Sequence, residues 1–377
     1  MDLDVSKLKT PCYLVDERRL IKNLECLKRV KEEAGCHILL ATKAFSMYET
    51  FPLIGKYLDG VTSSSLHEAR LGYEEMGKEV HIYAAAYRED DFDEIMQYCG
   101  HIVFNSFKQW KKYKGKIYKC SKKISCGLRI NPEYAEIETD LYNPCAPYSR
   151  MGVTLPHFEN EDLEGIEGLH FHAMCEQNAD TLERILEVVE DKFGTYLYQM
   201  KWINLGGGHH ITREDYDTAK LIKCIKHLKE TYDLEVYLEP GEAVALNAGY
   251  LVTTVLEIVE NGMKNAILDT SATCHMPDVL EMPYRPPIIG GKLPNELKYT
   301  YRLGSATCLA GDIIGDYSFA NPLIEGDKIV FGDMAIYTMV KNNTFNGINL
   351  PDIVLYQENS GYKIVKSFGY EDFKARL

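Results

Sequence analysis

Eight short apolar segments rich in β-branched residues recur through the first two thirds of the chain and limit its possible folds. Stretches of helical period separate most of them, such as Leu66 to Met76 and Leu182 to Phe193. Strands that alternate with helices are typical of parallel β/α units, and eight units predict a closed (β/α)8 barrel. An open doubly wound sheet is the alternative, but no G-x-G-x-x-G follows the first strand. The segments are CHILLATK, GVTSSS, EVHIYAA, HIVFNS, ISCGLRI, GLHFHAM, WINLGGG and EVYLEPG.

The pattern of residue types in the sequence changes after EPGEA, Glu239 to Ala243. Segments such as GDKIVFGDMAIYTMV and GYKIVKSFG are β-rich, turn residues lie between them, and few helical windows remain. The sequence therefore predicts an α/β protein with two domains. A TIM-type barrel would cover residues 12–243, and a mostly antiparallel β domain would be built from residues 1–11 and 244–377.

Composition limits the partners that the protein can have. The chain of 377 residues has a formal net charge of -14 and a pI of about 5.3, whereas a nucleic-acid surface is normally basic. No apolar run approaches the roughly 18 residues of a membrane span, and the start, MDLDVSKLKTP, lacks the pattern of a signal peptide. The 11 cysteines are scattered without a C-x-x-C pair. We therefore expect reduced thiols, a cytoplasmic location, and neither a nucleic-acid nor a membrane partner.

Several residues of types that serve catalysis or ligand binding fall at the predicted C-terminal ends of strands, where (β/α)8 barrels place catalytic groups. Lys43 ends the first strand; alone, it would be interpreted as a lysine whose charged head reaches water. Gly206–Gly208 end the seventh strand and would let backbone N–H groups approach an anion. Glu239 ends the eighth strand, and His170 and His172, two residues apart, share one face of the sixth.

A lysine, a phosphate loop, a carboxylate and a histidine are together the groups that hold pyridoxal 5'-phosphate (PLP). The lysine carries the cofactor covalently, and the carboxylate keeps the pyridine nitrogen protonated. A metal-dependent hydrolase is the alternative from another enzyme class, because H-x-H on a barrel strand can bind a metal. No downstream series of His and Asp ligands is evident, however, so no metal is expected.

The pattern resembles the fold-type III, alanine racemase-like PLP decarboxylases, a group that includes ornithine and diaminopimelate decarboxylases. The resemblance spans nearly the whole chain, and its last segment is the most specific. It rests on TPCYLVD, ATKA, SSSLHEAR, YSRMGV, FHAMCE, NLGGG, EPG, SATCLAGD and GDMAIYTMVKNNTFNG.

The resemblance implies a role for particular residues and a homodimer with shared active sites. Lys43 would hold PLP, His172 would stack on its ring, and Glu239 would face the pyridine nitrogen. Cys308 of the partner subunit would protonate the product. The phosphate would be reached by Gly207, Gly208 and Tyr337.

Two departures from the family pattern affect the phosphate contacts: Glu242 stands where relatives have arginine, and Cys175 where they often have serine. EPGE, GLHFHAMCE and DTSATCHMPDVLEMPYRP together resemble the carboxynorspermidine decarboxylase branch, which also takes carboxyspermidine. The expected reaction is therefore α-decarboxylation of a polyamine precursor. Glu242 and Asp278 would hold its cationic tail, with Glu281 less favoured, because buried ammonium groups need partners. The alternatives on the same scaffold are diaminopimelate decarboxylase and an amino-acid racemase. A third alternative is a non-catalytic PLP carrier, but such proteins typically lack the β domain.

Overall fold

The structure is a computed structural model that describes residues 3–377. It contains two compact units. One spans Asn23–Val244, and the other combines the residues up to Lys22 with Ala245–Leu377. The first strand, β1 (Cys12–Asp16), belongs to the second unit.

Eight parallel strands close a barrel in the first unit, which confirms the predicted (β/α)8 architecture. Each strand pairs with the next, and the last closes on the first through His37 opposite Tyr237. All eight contain residues of the eight apolar segments. They are β2 (His37–Ala41), β3 (Gly60–Ser63), β4 (Glu79–Tyr83), β5 (His101–Phe104), β6 (Ser125–Arg129), β7 (Gly168–His170), β8 (Trp202–Asn204) and β9 (Glu235–Leu238).

The helices around the barrel follow the apolar periodicity of the sequence. The apolar face predicted for Leu182 to Phe193 is the buried face of a helix. Ser65 and Ser106 cap two other helices through their hydroxyl groups. The helices are α1 (Glu17–Ala34), α2 (Phe51–Ile54), α3 (Leu66–Met76), α4 (Glu89–Tyr98), α5 (Phe107–Lys119), α6 (Leu155–Phe158), α7 (Ala179–Leu197), α8 (Thr218–Tyr232) and α9 (Glu242–Ala245), with 3-10 turns at Tyr48–Thr50 and Asp140–Tyr142.

The second unit is built on a nine-stranded sheet in which antiparallel pairs predominate, as the sequence predicts. Two pairs are parallel, β1 with β16 and β11 with β13. The strands after β1 are β10 (Gly249–Asn261), β11 (Met263–Leu268), β12 (Gly291–Lys292), β13 (Tyr299–Ser305), β14 (Ile313–Phe319), β15 (Lys328–Gly332), β16 (Asp352–Gln357) and β17 (Gly361–Lys366). The short helices are α10 (Ala272–His275), α11 (Asp278–Glu281) and α12 (Tyr370–Lys374), with a 3-10 turn at Phe345–Gly347.

The N-terminal boundary of the barrel differs from the expected residue 12. Strand β1 pairs antiparallel with β10 and parallel with β16, so residues 12–16 complete the sheet. Its alternate side chains enter two apolar clusters of that unit, Tyr13 in one and Leu14 in the other. At the C-terminal side, the unit ends at Val244 against the expected residue 243.

Among the described residues, no helix is both long enough and apolar enough to cross a membrane.

Candidate active site

A cavity opens at the C-terminal ends of the barrel strands. Polar side chains contributed by the strands or by the turns that follow them surround it, as expected for the catalytic face of such a barrel. Four residues predicted from the sequence are among its walls. The lining residues are Ala41, Lys43, Thr62, Ser63, Ser64, Tyr83, Arg129, His170, His172, Gly207 and Glu239.

Lys43 lies in the turn that follows β2, with its side chain accessible to solvent from the cavity. The turn is anchored by Thr42, whose hydroxyl lies 3.0 Å from the Thr62 carbonyl and 3.0 Å from Glu68 Oε2. The surrounding protein and the cation of Arg129 lower the pKa of Lys43, while Glu239 opposes that effect. A lowered pKa increases the fraction of neutral amine, the form in which a lysine acts as a nucleophile.

Glu239 is a buried carboxylate held by two polar side chains. Asn204 Nδ2 donates to its Oε1 over 2.7 Å, and His170 Nε2 lies 3.2 Å from its Oε2. Burial raises the pKa of Glu239, but His170 and, less strongly, His81 and Thr62 outweigh it and lower the pKa to about 2. The carboxylate is therefore ionised at neutral pH, although it is only 9% exposed.

His172 and the glycine loop are joined by a direct hydrogen bond. The N–H of Gly207 donates to His172 Nδ1 over 2.8 Å, so this ring nitrogen is unprotonated and the neutral ring carries its proton on Nε2. Burial and the positive charge of Lys43 hold the pKa of His172 well below its usual range. The ring is therefore an uncharged flat surface at the cavity wall.

The glycine loop has no room for side chains. A Cβ atom at Gly206, Gly207 or Gly208 would lie 2.5, 2.5 or 2.1 Å from a backbone carbonyl oxygen. Gly206 and Gly208 also have positive φ angles of 70° and 84°. Such a loop presents backbone N–H groups closely to a ligand, as anion-binding turns do.

Arg129 and Tyr83 are among the cavity residues that were not singled out from the sequence. Arg129 ends β6; its guanidinium lies 4.6 Å from the ring centroid of Tyr83 and donates through Nη2 to the His172 carbonyl over 3.3 Å. Tyr83 ends β4 and donates from its hydroxyl to Asn105 Oδ1 over 2.7 Å. Both residues fall at strand ends of the predicted segments EVHIYAA and ISCGLRI, so the rule that located Lys43 could have found them.

Glu242, the first residue of α9, lies against a neighbouring histidine. Its Oε2 lies 3.2 Å from His210 Nε2, and its charge is among those that raise the pKa of Lys43. Cys175, the other departure from the family pattern, is half-buried, and burial followed by the charge of Glu242 raises its pKa to about 11. Neither residue lines the cavity itself.

Three predicted site residues, Cys308, Tyr337 and Asp278, belong to the sheet unit. Cys308 is exposed between β13 and β14, and its N–H donates to Asn346 Oδ1 over 2.8 Å. Tyr337 adopts a left-handed backbone conformation with φ of 54°. Asp278 begins α11 and contacts the ammonium group of Lys341. Their roles in the reaction stay predictions.

Comparison with known proteins places this geometry in a family. The model of the pyridoxal-dependent decarboxylase, C-terminal sheet domain, matches residues 12–335. The carboxynorspermidine/carboxyspermidine decarboxylase of Campylobacter jejuni is 45% identical, over 98% of this chain and 99% of that protein. The carboxyaminopropylagmatine decarboxylase of Synechocystis is 43% identical, over 99% and 96%. The crystal structure of carboxynorspermidine decarboxylase from C. jejuni, complexed with norspermidine, has a TM-score of 0.92 and 44% identity, covering 98% of this chain and 100% of that one.

The residues of the cavity fit PLP. Lys43 supplies an amine with a lowered pKa, and Glu239 supplies an ionised carboxylate in the same cavity. Gly207 of the loop Gly206–Gly208 lines the same cavity, and the loop excludes side chains because any Cβ atom would collide with a neighbouring backbone carbonyl oxygen. A family model covers most of the chain, two relatives are more than 40% identical to it, and the cavity fits the cofactor. The chain therefore belongs to the PLP-dependent decarboxylases.

Proposed function

We propose that this enzyme decarboxylates carboxynorspermidine and carboxyspermidine to norspermidine and spermidine in polyamine biosynthesis. The observation that carries this proposal is the 45% identity, over essentially both full lengths, to a carboxynorspermidine/carboxyspermidine decarboxylase. In the reaction the bond between Cα and the carboxylate breaks, carbon dioxide leaves, and a proton replaces it on Cα.

The barrel residues would have separate roles around the cofactor. PLP, when bound, accepts the electron pair that carbon dioxide leaves behind. Lys43 would hold the cofactor covalently, and Glu239 would hold the proton on its pyridine nitrogen. The His172 ring would pack on the cofactor, and Gly207, Gly208 and Tyr337 would reach the phosphate. Because the Gly207 N–H donates to His172 Nδ1, the N–H contact from the loop to the phosphate would come from Gly208.

We infer that the active enzyme is a cytoplasmic homodimer in which Cys308 of the partner subunit delivers the proton to Cα. The exposure of Cys308 supports its availability to another chain, and the 11 free cysteines support a reducing compartment. The test is to mix inactive Lys43→Ala subunits with inactive Cys308→Ala subunits. Hybrid dimers should recover part of the activity, whereas no recovery despite demonstrated subunit exchange would exclude a shared site.

Glu242 and Asp278 are proposed to hold the cationic tail of the substrate. Glu242 replaces the arginine of relatives, which removes a repulsive charge and adds an attractive one, and it influences the pKa of Lys43. Asp278 and Glu281 together already contact one ammonium group, that of Lys341, with 2.7 Å between Lys341 Nζ and Glu281 Oε2. This pair of carboxylates therefore has the spacing to accept a cation.

A second substrate, carboxyaminopropylagmatine, is favoured by the 43% identity to the decarboxylase of Synechocystis. The two kinds of substrate differ at the end of the tail. A carboxylate accepts one or two hydrogen bonds from a compact ammonium group, but binds a planar guanidinium in a bidentate way.

The deciding experiment compares substrates under one set of conditions. The purified PLP-loaded enzyme is given carboxynorspermidine, carboxyspermidine, carboxyaminopropylagmatine or diaminopimelate, and carbon dioxide and the product amine are quantified. We expect the highest kcat/KM for carboxynorspermidine or carboxyspermidine and no turnover of diaminopimelate. A higher kcat/KM for carboxyaminopropylagmatine would transfer the assignment to that substrate, and preferred turnover of diaminopimelate would refute both.

A further inference from the structure

A second cluster of ionisable side chains lies at the N-terminal end of the barrel, opposite the cavity that holds Lys43. Glu79 is the first residue of β4, His81 is the third, and His101 is the first residue of β5. Glu79 and His81 share one face of their strand because side chains alternate along it. His81 and His101 are register partners on adjacent strands. These two relations bring the three side chains together.

The nitrogen atoms of both imidazoles converge on one oxygen atom. His81 Nε2 lies 3.0 Å and His101 Nδ1 lies 2.8 Å from Glu79 Oε1. The two rings stack with their centroids 4.0 Å apart. One ligand atom from each residue can be chosen so that all three lie within 4.8 Å of one another.

The imidazoles lack ordinary hydrogen-bond partners. Across residues 3–377, neither nitrogen of His81 nor Nδ1 of His101 makes a hydrogen bond of acceptable geometry, although His81 is only 1% exposed. Buried polar atoms of folded proteins are almost always paired, so the two nitrogen atoms directed at Glu79 Oε1, His81 Nε2 and His101 Nδ1, require an explanation. A bound cation would satisfy both nitrogen atoms and the carboxylate at once.

Aromatic rings enclose the site on one side, and Glu79 leaves it open to solvent on another. The rings of Trp202 and Tyr237 wall the site, with centroids 5.4 and 5.5 Å from that of His101. The side chain of Glu79 is 30% exposed, which leaves an entry path.

We propose that Glu79, His81 and His101 bind a divalent transition-metal ion, zinc in the first place, with water as a further ligand. Two histidines and one glutamate form a recurrent zinc ligand set. Bond lengths of about 2.0–2.2 Å put the ligand atoms of a tetrahedral zinc site roughly 3.3 Å apart, so small side-chain rotations suffice. The ion would join β4 to β5 at the base of the barrel and would take no part in decarboxylation.

No recognised zinc motif in the sequence marks this site. Glu79 and His81 are two residues apart, but His101 follows 20 residues later, and the three form none of the short spacings by which zinc sites are recognised. The expectation of no metal rested on the lack of further His and Asp ligands downstream of the H-x-H pair, and the structure assigns that pair, His170 and His172, to the cavity at the other end of the barrel.

The test measures zinc binding to the PLP-loaded enzyme after treatment with a chelator. Equilibrium dialysis with zinc chloride, followed by elemental analysis, is carried out on the wild type, Glu79→Gln, His101→Asn and two controls. The control His227→Asn disrupts a surface contact of 2.8 Å with Glu190 that lacks a third ligand. The control Cys308→Ser removes an exposed thiol that could bind zinc by itself.

We expect one zinc equivalent to be lost in Glu79→Gln and His101→Asn and kept in both controls. Zinc should also raise the Tm of the wild type but not that of the two site variants, and PLP content should stay unchanged. Equal zinc binding in the wild type and both site variants would overturn the proposal. If the variants do not fold, wild-type crystals grown with zinc decide. An anomalous peak between the three side chains supports the site, and its absence shows that the histidines only share a proton with Glu79.

Discussion

Replacement of Glu239 by glutamine tests how the carboxylate works, because the structure defines what the amide must do. Asn204 Nδ2 can still donate to the amide oxygen over the same 2.7 Å. The amide nitrogen then faces His170 Nε2, where the separation is 3.2 Å. His170 must therefore accept through Nε2 and move its proton to Nδ1.

On Nδ1 the proton would have no acceptor among the described residues. Among the described residues, His170 Nδ1 is buried without a hydrogen-bond partner. A buried donor left unsatisfied costs about 1–3 kcal/mol, so the free energy of unfolding of Glu239→Gln should fall by this amount. The effect on catalysis is separate. Loss of a charge-assisted hydrogen bond to the pyridine nitrogen costs roughly 1.5–3 kcal/mol, which corresponds to a decrease in kcat of roughly 10- to 150-fold.

The assay measures kcat and PLP content of Glu239→Gln beside Glu239→Asp, and urea unfolding of both. PLP should remain bound in each variant, and Glu239→Asp should retain more activity because it keeps the charge.

The low pKa of Glu239 also makes the stability of the enzyme depend on pH. Ionised Glu239 stabilises the wild type above its ordinary pKa, and this contribution is lost as the pH falls towards about 2. The stability difference between wild type and Glu239→Gln should therefore shrink on acidification. A glutamine variant with wild-type kcat and full PLP occupancy would refute the role of the carboxylate.

Three other predictions concern the cavity and the tail site. Lys43→Ala should lower turnover by several orders of magnitude and leave no PLP attached after borohydride reduction, as checked by mass spectrometry; attachment elsewhere would contradict it. Gly208→Ala should lose about 2–4 kcal/mol of unfolding free energy and bind PLP more weakly, because its Cβ would lie 2.1 Å from the Met174 carbonyl at a positive φ. Glu242→Gln and Asp278→Asn should each raise KM for the preferred substrate roughly 10- to 150-fold at unchanged PLP content; unchanged KM in both would remove the tail site.

The barrel and the central part of the cavity were predictable because both depend on local pattern. Apolar runs that alternate with helical period predict parallel strands, and the C-terminal ends of such strands meet on one face. That rule places Lys43, His172, Gly207 and Glu239 together, and the structure brings all four to one cavity. Glu242 was located near the same face by its distance of three residues from Glu239.

The parts that were not predicted depend on pairing between distant segments. Strand β1 joins the sheet because it fits between β10 and β16, more than 200 residues away in the sequence, and no local pattern reveals that register. The contact between Asn204 and Glu239 likewise arises from neighbouring strands whose side chains meet inside the barrel. Periodicity indicates which face of a strand is buried, but not which polar residues of different strands become neighbours.

Strand β4 carries residues of both the cavity and the cluster at the base of the barrel. Along β4, Glu79, His81 and Tyr83 share a face because side chains alternate, with Glu79 at the base and Tyr83 at the cavity. His81 lies between them and contributes to the low pKa of Glu239. A metal ion at the base would add positive charge in the same direction and favour the ionised carboxylate. Because Asn204 and His170 already hold that carboxylate directly, the ion can only reinforce a charge that the barrel maintains without it. Loss of the ion should therefore alter the stability of the enzyme much more than its kcat.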